Sequence, residues 1–168
     1  MTLFRALILF SVILCSIRRG FYLTISIRQA TPQDAKKVAP LIYDAIGDIA
    51  NNLTGEQELP RILASLEQFV TEKTNRHSYL NTFVAVQNEE VLGIVVLYDG
   101  KQGDILDRQL EKQLASQNIH VTLDIEAHDD EYYIDTICVA KNARGLGIGT
   151  KLLQFAESHG RELGYKKI

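Results

Sequence analysis

The sequence has 168 residues, of which 46% are hydrophobic and 23% are charged, values typical of a single globular domain with a sizeable core. A net charge of -3 argues against a nucleic-acid-binding protein, whose surface is usually basic. The two cysteines, Cys15 and Cys138, are too few for a disulfide framework. Because Cys138 lies in an apolar run, we interpret it as a small core residue rather than a nucleophile.

Residues 1–22 differ in character from the rest of the chain. An apolar run from Ala6 to Ile17 is closed by Arg18 and Arg19. The run is too short for a membrane span, which needs about 20 residues, and it lacks a clear signal-peptide cleavage site. We therefore favour an N-terminal extension, or upstream sequence wrongly joined to the gene product, over an export signal, and we expect a cytoplasmic protein.

Residues 23–168 are predicted to form one domain. A first strand is predicted over Thr24–Arg28, where apolar and polar residues alternate. Thr31-Pro32 is typical of a helix start, and a second helix is predicted over residues 58–73. Between these helices, Asn51–Gly55 has the composition of a turn.

A β-hairpin is predicted next in the chain. Its strands are Thr82–Gln87 and Val91–Tyr98, and Asn88-Glu89-Glu90 is the tight connection between them. Gly93, inside the second strand, indicates either a bulge or the close approach of another element.

Residues 101–131 are predicted to contain a helix over 103–116 and a strand over 119–125, where apolar and polar residues alternate. The polar turn His128–Glu131 has residue types that bind metals. Such a cluster in one exposed turn is usually solvated charge, so we predict no metal site.

The stretch from Tyr132 to Tyr165 carries the chemistry. An apolar strand, Tyr132–Val139, leads into the glycine-rich turn Arg144–Gly149 and then into an amphipathic helix. Unpaired N–H groups at a helix start favour an anion, and glycines let a phosphate approach the main chain. We therefore predict a phosphate or pyrophosphate site, against the alternative of a turn that only lets the helix pack on the strand.

The spacing of the glycines distinguishes between phosphate-binding motifs. No GxxxxGK[ST] run is present, and a dinucleotide fold would need GxGxxG with an acidic residue about 20 positions later. The pattern Arg-x-x-Gly-x-Gly fits Arg144, Gly147 and Gly149, and it resembles the acetyl-CoA signature of the GNAT superfamily of N-acetyltransferases. Lys141 stands where many members carry proline.

The resemblance implies a GNAT-like α/β fold, with a central mixed, mostly antiparallel sheet flanked by helices. Family members continue with further strands beyond the position of Ile168, so we expect the C-terminal strands to be missing from this sequence, which leaves its own activity open. The insert 101–131 would cover the acceptor site or form an interface.

The resemblance further implies that acetyl-CoA is the co-substrate and that its acetyl group passes directly to a primary amine on a small molecule, protein or peptide. Ile137 and Val139 would bond the pantetheine arm through the main chain, and the amides from Arg144 through Thr150 would wrap the pyrophosphate. The Arg144 side chain would add charge or brace the loop. The residues predicted to bind the co-substrate are Ile137, Cys138, Val139, Arg144, Gly145, Leu146, Gly147, Ile148, Gly149 and Thr150.

A base is also required, because a free amine has a pKa of about 10.4 and must lose a proton before it attacks. Some members place a glutamate eleven residues before the signature arginine, where this chain has Tyr133. Asp135 and Glu131 flank that position on the same strand face. We predict Asp135 as the base, Glu131 as the second choice and Tyr133 as a further candidate catalytic residue. For each carboxylate, a salt-bridged or solvated group is the alternative.

Two functions from other classes remain open. One is a non-catalytic acyl-CoA-binding or sensor module, and the other is an interaction domain that forms a homodimer through an exposed sheet edge. Neither a nucleic acid nor a membrane is an expected partner.

Overall fold

The computed structural model describes residues 24–123 and 126–168, so the predictions for residues 1–22 lie outside the described residues. Within that part of the chain, four strands form one antiparallel sheet in the order β1-β2-β3-β4. Parallel pairing among the described residues is limited to one bridge, between Glu131 and Lys167. The strands are β1 (Ser26–Gln29), β2 (Thr82–Gln87), β3 (Glu90–Asp99) and β4 (Tyr132–Val139).

Five α-helices flank this sheet in the described ranges, which confirms the predicted mixed α/β class. None of them is long and apolar enough to cross a membrane. The helices are α1 (Ala35–Ile46), α2 (Ile49–Thr54), α3 (Leu59–Thr71), α4 (Gly103–Ser116) and α5 (Ile148–Glu162). Short 3-10 turns at Pro32–Asp34, Gly100–Gln102 and Lys141–Ala143 precede α1, α4 and α5.

The predicted start of α1 is confirmed and is held by a local network of hydrogen bonds. The Asp34 carboxylate accepts bonds from the Thr31 N–H and hydroxyl, each at 2.8 Å. Arg28 donates to both oxygens of the same carboxylate. Hydrogen bonding by Arg28 is the main reason that the pKa of Asp34 is lowered to about 2.

The prediction of a turn over Asn51–Gly55 is wrong, because α2 continues to Thr54. Its side chains Ala50 and Leu53 are buried in the core, and the Thr54 hydroxyl donates to the Ala50 carbonyl at 2.7 Å. Burial of that apolar face outweighs the turn preference of the two asparagines. Within residues 51–55, it is Gly55 that ends the helix, in a left-handed conformation with φ of 70°.

The hairpin was predicted correctly, and both interpretations of Gly93 apply. Gly93 pairs with Ala85 while Val91 pairs with Val86, so Leu92 between them is left without a partner, as in a bulge. A Cβ on Gly93 would lie 2.9 Å from the Cys138 carbonyl oxygen and 3.2 Å from Ile148 Cγ2. Helix α5 therefore packs on the sheet more closely than a side chain would allow.

Helices α1 and α3 contribute to the core cluster that contains Val84, Ile94 and Cys138, and α5 packs through a second cluster that contains Ala85, Val95 and Leu97. Because these strand residues alternate, the two clusters lie on opposite faces of the sheet. The N-terminus of α5 is thereby fixed beside the end of β4.

The helix predicted over 103–116 is confirmed as α4, but the strand predicted over 119–125 is wrong in its described part. Ile119, Val121 and Leu123 pack partly buried against the core cluster of α1 and α3. The backbone of this segment bonds locally instead of pairing with the sheet, because Ile119 N–H donates to the Leu114 carbonyl and Leu123 N–H donates to Glu111 Oε1. The alternation of the sequence therefore marks an extended segment that covers the core edge.

Candidate active site

The glycine loop, residues 144–150, connects β4 to α5 at the predicted place. Arg144 is extended, whereas Gly145 and Gly147 have φ of 80° and 73°. A Cβ at either glycine would meet no atom within 4 Å. Backbone conformation, rather than crowding, therefore favours glycine at these two positions, and the space in front of the loop is open.

The first turn of α5 presents free backbone donors to this open space. Gly147 is the N-cap and supplies no side chain, and the first helical bond runs from the Lys151 N–H to the Gly147 carbonyl at 3.1 Å. The N–H groups of Ile148, Gly149 and Thr150 therefore have no partner within the helix. Together with the positive end of the helix dipole, they form a site suited to a phosphate.

Arg144 braces the glycine loop against β4. Its Nε donates to the Val139 carbonyl at 3.4 Å. On the other side of the turn, Lys141 forms an ion pair of 3.3 Å with Asp44 of α1. Of the two roles expected for Arg144, this contact matches the bracing role.

Strand β4 is the terminal strand of the described sheet and offers polar main-chain groups at its open edge. The Ala140 N–H donates to the Leu92 carbonyl of β3. Main-chain N–H and carbonyl groups alternate in direction along a strand. The N–H and carbonyl groups of Ile137 and Val139 therefore face away from β3. Cys138 has the opposite orientation, and its buried thiol packs in the core, where burial raises its pKa.

A cleft of about 750 Å³ opens beside the middle of β4. One wall of the cleft is formed by residues 46–57, around α2, and the other by residues 120–123 together with Glu126. The cleft is also lined by Arg76, His77, Asp135 and Thr136. Ile134 pairs with Leu97 and Thr136 with Val96, so Asp135 is an extra, unpaired residue of β4. This bulge lets two successive side chains, Asp135 and Thr136, line the same cleft.

The Asp135 side chain is 4% exposed and belongs to a buried ionic cluster. Arg76 donates to it through Nη1 at 3.2 Å and to Asp107 of α4 through Nε at 2.8 Å. Asp135 also accepts bonds from the Tyr98 hydroxyl at 3.2 Å and from the Thr136 hydroxyl at 2.7 Å. Burial opposes the charge of Arg76, but attraction to Asp135 and the hydrogen bond with Asp107 outweigh it and raise the pKa of Arg76.

His77 lies next to this cluster and is 2% exposed. Neither ring nitrogen has a hydrogen-bond partner among the described residues, and Nε2 lies 3.7 Å from Asp135 Oδ2. Burial lowers the pKa of His77 below its ordinary value of 6.5; Asp135 opposes this effect and Arg76 reinforces it. The imidazole is therefore neutral at physiological pH.

The other two candidate catalytic residues, Glu131 and Tyr133, are not among the residues that line the cleft. Glu131 does not line the cleft, and its carboxylate accepts a bond from the His128 N–H at 2.8 Å in the turn before β4. The Tyr133 hydroxyl donates to Glu126 at 2.9 Å at the cleft wall. Burial and this bond raise the pKa of Tyr133 to about 12, so the phenol stays protonated at neutral pH. The geometry thus brings Asp135 into the cleft and leaves Glu131 outside it.

Arg76, His77 and Asp107 were not predicted from the sequence. Arg76 and His77 lie in the connection between α3 and β2, and Asp107 lies on α4. None belongs to a recognisable motif. Their role depends on burial and on contacts between distant parts of the chain, which no local pattern records.

The fold and the site together define an acetyltransferase-type architecture, and comparisons with known proteins agree. A model of the acetyltransferase (GNAT) family matches residues 44–168. A crystal structure of an acetyltransferase superposes with a TM-score of 0.71 at 27% identity, over 84% of this chain and 77% of the other. An N-acetyltransferase from Staphylococcus aureus Mu50 gives 0.67 at 26% identity, over 81% and 76%. A comparison with curated proteins gave no match.

The chain belongs to the acetyltransferase (GNAT) family. Its class of activity is acetyl transfer, as in the similar acetyltransferase structures. The predicted membership of the GNAT superfamily is thereby confirmed, and the binding role of Arg144, Gly147 and Gly149 stays a prediction.

Proposed function

We propose that this protein transfers an acetyl group directly from acetyl-CoA to a primary amine of a small molecule or peptide. The observation that carries the proposal is the layout of β4. An amide-lined anion site follows its C-terminal end, and an acidic cleft lies beside its bulge at Asp135, four residues before Val139. Four extended residues span about 13 Å, so one elongated thioester lying along the strand can reach both places.

For acetyl-CoA, the proposal assigns the pyrophosphate to the amides from Arg144 through Thr150. The main-chain groups of Ile137 and Val139 at the open edge of β4 would bond the pantetheine arm. A main-chain N–H of the same strand would stabilise the negative charge that develops on the thioester oxygen. The residues fit this ligand because the loop space is open and its donors have no helical partner.

The cleft suits an amine because its buried cluster carries one positive group, Arg76, against two carboxylates, Asp107 and Asp135. Glu126 adds a further acid to the lining. A cationic ammonium is attracted to this excess of negative charge, and Asp135 lies where it can promote proton transfer, directly or through a neighbouring base. Glu131 is a weaker candidate for that role because it lies outside the cleft.

The test is calorimetric titration of the full chain with acetyl-CoA, followed by measurement of thiol release with a panel of primary amines. We expect saturable binding, and thiol release only when an amine is present. Binding without thiol release from any amine would instead favour the sensor module. No binding at all would contradict both the enzyme and the sensor.

A further inference from the structure

His77 combines three features that are unusual for a core histidine. Its ring is buried, both nitrogens lack a partner among the described residues, and it lines the cleft. Leaving buried polar atoms unpaired costs free energy, and an apolar side chain of similar size would avoid that cost. Packing alone therefore does not account for an imidazole at this position.

We propose that His77 takes up the proton of the acceptor ammonium and that Asp135, 3.7 Å away, stabilises the imidazolium so formed. This inference rests on the proposed function of the cleft. The Nε2–H would be directed at Asp135 Oδ2, which leaves the lone pair on Nδ1 to accept the proton. Because Nδ1 is buried, the proton would arrive through a water molecule in the cleft.

Asp135 by itself is poorly placed to hold the proton. Its two oxygens already accept bonds from Arg76, Tyr98 and Thr136. These three donors take up most of the lone-pair positions that a carboxylate offers, about four in all. The neutral imidazole of His77 instead has a lone pair without a partner in the described part of the chain that can accept the proton, and the carboxylate then stabilises the cation.

The charges around His77 come from several elements. Asp135 of β4 lies closest, while Arg76 precedes His77 in the chain and is itself paired with Asp107 of α4. Tyr98 of β3 contributes a neutral phenol bonded to Asp135. His120 and Glu126 lie in the cleft wall. Protonation of His77 adds one positive charge to a cluster that carries an excess of one negative charge.

The proposed transfer removes two protons from the acceptor nitrogen. The ammonium gives one proton to His77, and the neutral nitrogen then attacks the thioester carbon. A C–N bond forms, and the C–S bond breaks with its electron pair left on sulfur. The second nitrogen proton ends on that thiolate, which gives the free thiol and the amide. His77 returns its proton to solvent.

The test is the pH profile of kcat/KM for an amine with a pKa of about 10.4, at saturating acetyl-CoA. In the wild type, we expect kcat/KM to stay constant, as a plateau, between two pKa values. The lower is that of His77, which burial keeps below 6.5, and the upper is that of the amine. In His77→Gln, only the minor neutral amine can react. The plateau is then lost, kcat/KM rises about tenfold per pH unit, and activity at pH 7 falls about 10²–10⁴-fold.

His128→Gln is the matched control, because His128 lies in the exposed turn before β4, and it should keep the wild-type profile. Acetyl-CoA affinity should be equal in all three proteins. A His77→Gln profile that is lowered by the same factor at every pH would overturn the inference. Absence of thiol release in the wild type would instead refute the proposed function.

Two further measurements keep the inference testable if His77→Gln folds poorly. His77→Leu should be at least as stable as the wild type in thermal unfolding, because it removes unpaired polar atoms, yet it should lose activity at pH 7. In an NMR titration of the histidine rings, Asp135→Asn should move the His77 transition to lower pH. A retained activity or an unmoved transition would contradict the proposed pair.

Discussion

The glycine loop and the cleft form two halves of one candidate active site, but they are built in different ways. The loop occupies seven consecutive residues, 144–150, and offers main-chain N–H groups. The cleft cluster joins side chains as far apart in the chain as Arg76 and Asp135, a separation of 59 residues. The loop therefore tolerates changes of side chain wherever backbone conformation is preserved, whereas each member of the cluster depends on the others.

The largest effect is expected for Arg76→Met. This change leaves Asp107 and Asp135 buried without their cation and should lower the free energy of unfolding by about 3–5 kcal/mol. Arg61→Met is the control, because Arg61 is 74% exposed and lies 3.8 Å from Glu56; its effect should stay within about 0.5 kcal/mol. Denaturant unfolding of both variants measures the difference. Equal effects would show that the cluster contributes no more than a surface pair.

Asp135→Asn should preserve shape while removing the charge beside His77. We expect the rate at pH 7 to fall about 100-fold or more, because proton transfer to a positioned group contributes at least that factor. Acetyl-CoA affinity should be unchanged, since the glycine loop lies outside the cleft. Steady-state kinetics and calorimetry on the same preparation test both statements. Unchanged turnover would remove Asp135 from the proposed mechanism.

Gly147→Ala tests the loop through its backbone. A non-glycine residue at φ of 73° costs about 1–2 kcal/mol, and relaxation of the loop should weaken acetyl-CoA binding about tenfold. Gly164→Ala is the matched control, since Gly164 has φ of 93° but lies beyond α5. It should lose similar stability with unchanged affinity. If both variants bind equally well, the loop conformation is not needed for binding.

The smallest effect concerns Arg28 and Asp34, an ion pair formed within six residues of sequence. The pKa of Asp34 is lowered from 3.8 to about 2, so the pair stabilises the fold above pH 3.8 and this contribution is lost as the pH falls through about 2. Asp34→Asn should therefore cost about 1 kcal/mol near neutral pH and progressively less towards pH 2. Unfolding measured from pH 2 to pH 7 gives the curve, and a constant difference would contradict the assignment.

Local patterns predicted the hairpin, α4, α5 and the position of the glycine loop, because strand alternation, helical spacing and glycines at positive φ are set by neighbouring residues. The same patterns failed at α2 and at residues 119–123, where burial against distant residues decides the conformation. Asp135 could be proposed from family resemblance. Its bulge, its partner Arg76 and the neighbouring His77 could not, since they depend on which segments meet in the folded chain.

The contact between Asp107 and Arg76 has a consequence for engineering and for divergence within the family. Helix α4 lies within residues 101–131, the segment predicted to be an insert, and yet it carries a counter-ion of the candidate cleft. Deleting this insert, or grafting one from a relative, would leave a guanidinium in the interior without one of its two carboxylates unless position 76 changed as well. Under the proposed function, acceptor preference would therefore be easier to alter by substitutions in the cleft wall at residues 120–123 than by exchange of the whole segment 101–131.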